Sequence, residues 1–229
     1  MADAVISGIR ACVFDAYGTL FDVHSAAARC RDDLGDKADE LSGIWRQKQL
    51  QYTWLRSLMG AHVDFWRVTG DALDYAMAAV ELDDPAIRER LMDMYLQLDA
   101  YPEVPAVLGR LKDAGMTTAI LSNGAPKMLE AAVRSAGLED RLDRVLSIED
   151  IGVYKPDPRV YRLAVDRTGV AAREICFMSS NAWDATGAAH FGFQVVWVNR
   201  FAQPPERLPG ELKAEVADLT ALPGLLGLD

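Results

Sequence analysis

Five short apolar runs, each broken off by turn-forming or polar residues, set narrow limits on what this chain can fold into. The first, Ile9-Arg10-Ala11-Cys12-Val13-Phe14, is cut off by Asp15-Ala16-Tyr17-Gly18-Thr19. The second, Thr117-Thr118-Ala119-Ile120-Leu121, stops at Ser122-Asn123-Gly124. Val145-Leu146-Ser147-Ile148, Ile175-Cys176-Phe177-Met178 and Gln194-Val195-Val196-Trp197-Val198 follow. Short apolar runs bounded in this way read as buried strands. Helix-length stretches separate the later ones. Pro126 opens one and Gly137 closes it, Pro158 opens another and Gly169 closes it, and Gly115 and Gly192 mark two further ends. Proline at a helix start and glycine just past its end is the preferred arrangement. Alternating strands and helices predict an α/β fold, a Rossmann-like parallel sheet core with helices on both faces.

The first and second strands are too far apart for a simple crossover. From about His24 to Ala100 the pattern is helical, with Leu41, Trp45, Leu55 and Leu58 among its apolar positions. This predicts an inserted helical cap subdomain over 24–100, with 1–23 and 101–229 forming the core. The chain returns through Tyr101-Pro102-Glu103-Val104-Pro105, whose prolines resist helix continuation. Phe201 to Pro209 reads as a surface loop, and there is no internal repeat.

Lys and Arg total 24 against 34 Asp and Glu, a net charge of -10. Nucleic acid and anionic membranes are polyanions, so neither is expected as a partner. No apolar run approaches the ~18 residues that span a bilayer. The start Met1-Ala2-Asp3-Ala4 lacks the basic residue and greasy stretch of a secretory leader. Cys12, Cys30 and Cys176 are odd in number and far apart, which argues against a disulfide framework or zinc site and for a cytoplasmic setting. His24, His62 and His190 show no metal-ligand spacing.

Ligands of open parallel sheets bind beyond the carboxyl ends of the strands. Those ends carry Asp15, Ser122-Asn123, Ile151 to Lys155, and Ser179 to Asp184, and the four segments should converge on one crevice. Taken alone, Asp15 could equally be a turn former. As a nucleophile it needs no base, because a carboxylate is already ionised at neutral pH. Lys155 is either a surface lysine or a buried charge that holds Asp15 and Asp184 ionised. Asp184 and Ser122-Asn123 could each be helix-start residues. Arg46, Leu50 and Trp54 follow at four-residue spacing, so they share one helical face. Arg46 then either points into a lined pocket or snorkels past Trp54 to water.

Val13-Phe14-Asp15-Ala16-Tyr17-Gly18-Thr19-Leu20, Leu121-Ser122-Asn123-Gly124, Tyr154-Lys155-Pro156-Asp157-Pro158 and Ser179-Ser180-Asn181-Ala182-Trp183-Asp184, in that order, resemble the haloacid dehalogenase superfamily. Trp45-Arg46-Gln47 and Tyr52-Thr53-Trp54 extend the similarity to its L-2-haloacid dehalogenases. The resemblance implies that Asp15 attacks C2 of a 2-haloalkanoate with inversion, and that water then cleaves the resulting ester. It assigns Arg46 and Asn123 to the departing halide. Ser122 and the backbone N–H groups of Ala16 and Tyr17 would hold the substrate carboxylate. Lys155 would supply positive charge. Thr19, Ser179, Asn181 and Asp184 would orient Asp15, Lys155 and the water. Phe65, Tyr161 and Trp183 would line the pocket. A homodimer also follows. Because a net charge of -10 does not help an anionic substrate approach, the site is expected to be locally positive, with Arg46 and Lys155 as the candidates.

The superfamily's phosphatases carry a second aspartate two residues after the nucleophile and an acidic magnesium ligand four residues before the last aspartate. Tyr17 and Ser180 stand at those positions here. Neither suits metal-assisted phosphoryl transfer. A halide leaves without a proton, so no metal and no cofactor is expected. The alternatives are a magnesium-dependent phosphatase or phosphonatase of the same superfamily and a catalytically silent binding protein.

Overall fold

A computed structural model of the protein describes residues 6–23 and 31–228. The expectations that concern Met1 to Ala4, His24 and Cys30 lie outside the described residues. Six strands form one parallel sheet: β1 Ala11–Phe14, β2 Thr117–Ser122, β3 Arg144–Ser147, β4 Ile175–Ser179, β5 Gln194–Val198 and β6 Ala214–Val216, in the order β3-β2-β1-β4-β5-β6. All of β1 is inaccessible to solvent. A large apolar side chain buried in this way, such as Phe14, contributes ~1.5–3 kcal/mol. Cys12 and Cys176 are free and buried within this sheet, as small apolar fillers.

Chain order reverses at β1. The chain runs outward to β2 and β3, then returns to the opposite side of β1 for β4. Such a reversal leaves a crevice between β1 and β4 at their carboxyl ends. The register sets what faces it. Phe14 lies beside Ile120 and Met178, so Asp15 emerges level with the ends of β2 and β4. The N–H of Asp15 donates to the Met178 carbonyl at 2.9 Å.

Between β1 and β2, apart from two isolated bridges at Phe21, the described chain is helical: α1 Arg31–Leu34, α2 Ala38–Met59, α3 Phe65–Ala79, α4 Pro85–Met94 and α5 Val104–Asp113. Asp64 and Asp84 cap α3 and α4 through their carboxylates. Pro105 does not hold the returning chain out of helix; it sits in the first turn of α5, where a missing N–H costs nothing. Further on, α6 Pro126–Ser135, α7 Pro158–Thr168 and α8 Ala182–Phe191 cross between the later strands. Gly169 and Gly192 end α7 and α8 with positive φ. The strand read at Val145–Ile148 begins one residue earlier, because Ile148 already belongs to a turn capped by Ser147. Of the apolar positions in α2, Leu41 and Trp45 are buried, whereas Leu55 and Leu58 are exposed.

Candidate active site

Beyond the crevice, Lys155 bridges two carboxylates. Its Nζ lies 3.0 Å from Oδ1 of Asp15 and 2.8 Å from Oδ2 of Asp184, and the lysine is only 1% exposed. Burial opposes the lysine's charge, but the two carboxylates outweigh it and its pKa lies above the ordinary value. Burial also raises the Asp184 carboxyl, against the pull of Lys155. Tyr161 donates to Oδ1 of Asp184 at 2.8 Å. It is fully buried against Phe177, Phe191 and Phe193, so it braces Asp184 from behind.

The other oxygen of Asp15 is held from the β4 side. Asn181 Nδ2 donates to Oδ2 at 2.9 Å, and the Thr19 hydroxyl stands 3.3 Å from it. Thr19 also accepts from the Ser180 N–H at 2.8 Å, and Ser179 accepts from the Asn181 N–H, so the two loops are tied together. Gly18 is required at this joint. Its φ is +85°, and a Cβ there would meet Ser180 Oγ at 2.9 Å. Ser122 Oγ accepts from the Gly124 N–H, and Asn123 Oδ1 accepts from the Lys155 N–H. Among the described residues the N–H groups of Ala16 and Tyr17 have no protein acceptor, so they are available to an anion.

The helices after β1 close the site. Arg46 does not snorkel to water: Nη2 donates to Asn181 Oδ1 at 3.0 Å and Nη1 to Gln49 Oε1 at 2.7 Å. These bonds use two of the five N–H groups of its fork. Phe65 stacks on Tyr17 at 5.9 Å, Tyr95 lies 5.6 Å from Tyr17, and Trp54 meets Trp183 edge-on at 5.3 Å. The Tyr17 hydroxyl is buried without a partner among the described residues, and burial, with Tyr95 and Asp15 nearby, raises its pKa. The site is not locally positive as expected. Lys155 bridges Asp15 and Asp184, Arg46 is linked to Asp15 through Asn181, and the four formal charges sum to zero. An anion here is held by directed donors, not by surplus charge.

Gln49, Thr69 and Tyr95 belong to the site and were not read from the sequence. Gln49 donates to Thr69 Oγ1 at 2.9 Å, and all three are buried. The signal lay in the periodicity: Leu41 and Trp45 continue at the same spacing to Gln49 and Thr53, which places polar residues on a buried helical face.

A metal does not fit the phosphatase positions. Tyr17 and Ser180 replace both acidic groups, and Lys155 occupies the space between Asp15 and Asp184. Among the described residues no three His, Cys, Asp or Glu side chains are grouped to hold a metal ion. No helix of the described residues is long and apolar enough to cross a membrane.

A crevice at the sheet's switch point, with a held carboxylate and a buried lysine, is the setting of a hydrolase site. Residues 9–192 match the family model of haloacid dehalogenase-like hydrolases, and the chain belongs to that family. It is 49% identical over 219 residues to (S)-2-haloacid dehalogenase 1 of Pseudomonas sp. (strain CBS-3), covering 95% of this chain and 96% of that one. It is also 49% identical to (S)-2-haloacid dehalogenase 4A of Burkholderia cepacia, over 97% of this chain and 96% of that one. A solved structure of L-2-haloacid dehalogenase from Xanthobacter autotrophicus with chloropropionic acid covalently bound superposes with a TM-score of 0.89 at 37% identity, covering 96% of this chain and 98% of that one.

Proposed function

We propose that this enzyme hydrolyses short L-2-haloalkanoic acids to D-2-hydroxy acids and halide. Asp15 attacks C2, the carbon–halogen bond breaks, and the halide leaves with the bonding electrons. Water then adds to Cγ of the Asp15 ester. One water proton goes to the departing 2-hydroxy acid, the other to solvent, and Asp15 is restored. Arg46 and Asn123 receive the halide. Ser122 and the N–H groups of Ala16 and Tyr17 hold the substrate carboxylate. Thr19, Ser179, Asn181 and Asp184 keep Asp15, Lys155 and the water in register, while Phe65 and Trp183 enclose the alkyl group. Donors aimed at a leaving group are each worth about 3–4 kcal/mol in the transition state.

One observation carries this reading. The carboxylate of Asp15 is fixed at one oxygen by Lys155 and at the other by Asn181, which also bonds Arg46. The test is halide release from each enantiomer of 2-chloropropanoate, with and without a chelator. The L-enantiomer should react in both conditions. Phosphate-ester turnover that stops on chelation would instead support a phosphatase. Residues 24–100 act as the cap and 1–23 with 101–229 as the core. A cytoplasmic homodimer completes the proposal, supported by exposed Leu55, Leu58 and Met59 on α2.

A further inference from the structure

We propose that Gln49 and Thr69 are positioning residues that aim the Arg46 guanidinium, through a hydrogen-bond chain that can run in one direction only. This inference deepens the dehalogenase reading and rests on it.

The chain starts at a group that can only accept, the carbonyl of Phe65. Thr69 Oγ1 lies 2.7 Å from it and donates its single proton there. Only lone pairs then remain on Thr69, so the end of Gln49 that lies 2.9 Å away must be the amide nitrogen. Gln49 Oε1 is thereby turned to the opposite side, 2.7 Å from Arg46 Nη1. A guanidinium can only donate, so the same orientation is required from that end independently. The Tyr95 hydroxyl, 3.1 Å from Nε2 and 3.2 Å from Oε1, is compatible with it.

Past Arg46 the logic repeats. Nη2 donates to Asn181 Oδ1 at 3.0 Å, which leaves Asn181 Nδ2 to donate to Asp15 at 2.9 Å. A fixed backbone carbonyl on α3 is thus connected to the nucleophile through groups that have no second arrangement. Gln49 is 1% exposed, on the face of α2 that Leu41 and Trp45 fill with apolar atoms, and Thr69 is fully buried on α3 opposite it. Packing alone gives no reason for an amide and a hydroxyl there; aiming Arg46 does.

The test compares single-turnover halide release from L-2-chloropropanoate and L-2-bromopropanoate in Gln49→Leu, Thr69→Val and Thr69→Ser. Chloride is the poorer leaving group and depends more on well-aimed donors. In Gln49→Leu and Thr69→Val the chloride rate should fall roughly tenfold and the bromide rate about threefold or less. Thr69→Ser keeps the hydroxyl and should match the parent enzyme on both. Equal slowing of both substrates, as loss of folded protein would give, overturns the inference, as does a Thr69→Ser that behaves like Thr69→Val. A parent enzyme that releases neither halide overturns the dehalogenase reading as well.

Discussion

Lys155 has almost no contact with solvent, yet it carries a charge shared by Asp15 and Asp184. Removing one member of a buried ionic cluster strands the others, at a cost of ~3–5 kcal/mol. Lys155→Met should therefore lower the urea midpoint substantially as well as abolish halide release; a variant of parental stability would show that the cluster is not ionised as drawn. Arg46 offers a second test at this scale. Arg46→Lys keeps the charge but loses the planar fork that reaches Gln49 and Asn181 together. Its first-turnover rate should fall by roughly a hundredfold, and full activity would remove Arg46 from the halide site. Asp15 and Asp184 were legible in sequence because one follows a strand and the other lies in the first turn of a helix, whereas Lys155 sits in the loop between β3 and α7 and was read from the Pro-rich run around it. Their pairing was legible only as one of two readings of Lys155, because the choice depends on three segments meeting at the end of the sheet. Tyr161 shows the same limit. Its place near the site was legible, but not that it stands behind Asp184.

Elements meet at close quarters where the loop after β2 passes Tyr17. A Cβ on Gly124 would lie 2.7 Å from the Tyr17 ring, and that ring is held by Phe65 and Tyr95. Gly124→Ala should therefore destabilise the protein by about 1–3 kcal/mol and slow halide release, measured by thermal unfolding and initial rates. An unchanged protein would mean that the aromatic joint yields. The strands and most helix ends were readable because buried runs and the Pro and Gly at helix termini are local signals. β6 was not. Its three residues are only partly covered, and it exists because it pairs with β5. The hydrogen-bonded face of α2 was also missed, since polar residues at apolar spacing invite a surface reading until their partners on α3 are known.

Over the whole molecule, net charge works against an anionic substrate, and the site's own charges cancel. Screening should therefore help, with kcat/KM rising about two- to threefold from low to physiological salt; a fall would reveal a positive approach path. Alkaline pH should act on stability. Burial raises the Cys12 thiol from 9.0 to about 12 and also raises Cys176, Tyr17 and Tyr161, while the carboxylates raise Lys155 against its burial. The folded protein keeps these protons after the unfolded chain has released them. This stabilisation is complete below about pH 9 and is lost as pH rises toward about 12. Unfolding midpoints should decline steadily across that range, and a flat profile would contradict the assignment. The most direct test of covalent catalysis weighs the intact protein. After a single turnover of L-2-chloropropanoate in heavy-oxygen water, the enzyme should carry one heavy oxygen, located by peptide mapping at Asp15, and the 2-hydroxypropanoate should carry none. Heavy oxygen in the product of that first turnover, with none in the protein, would mean that water attacks C2 directly and that Asp15 is not the nucleophile.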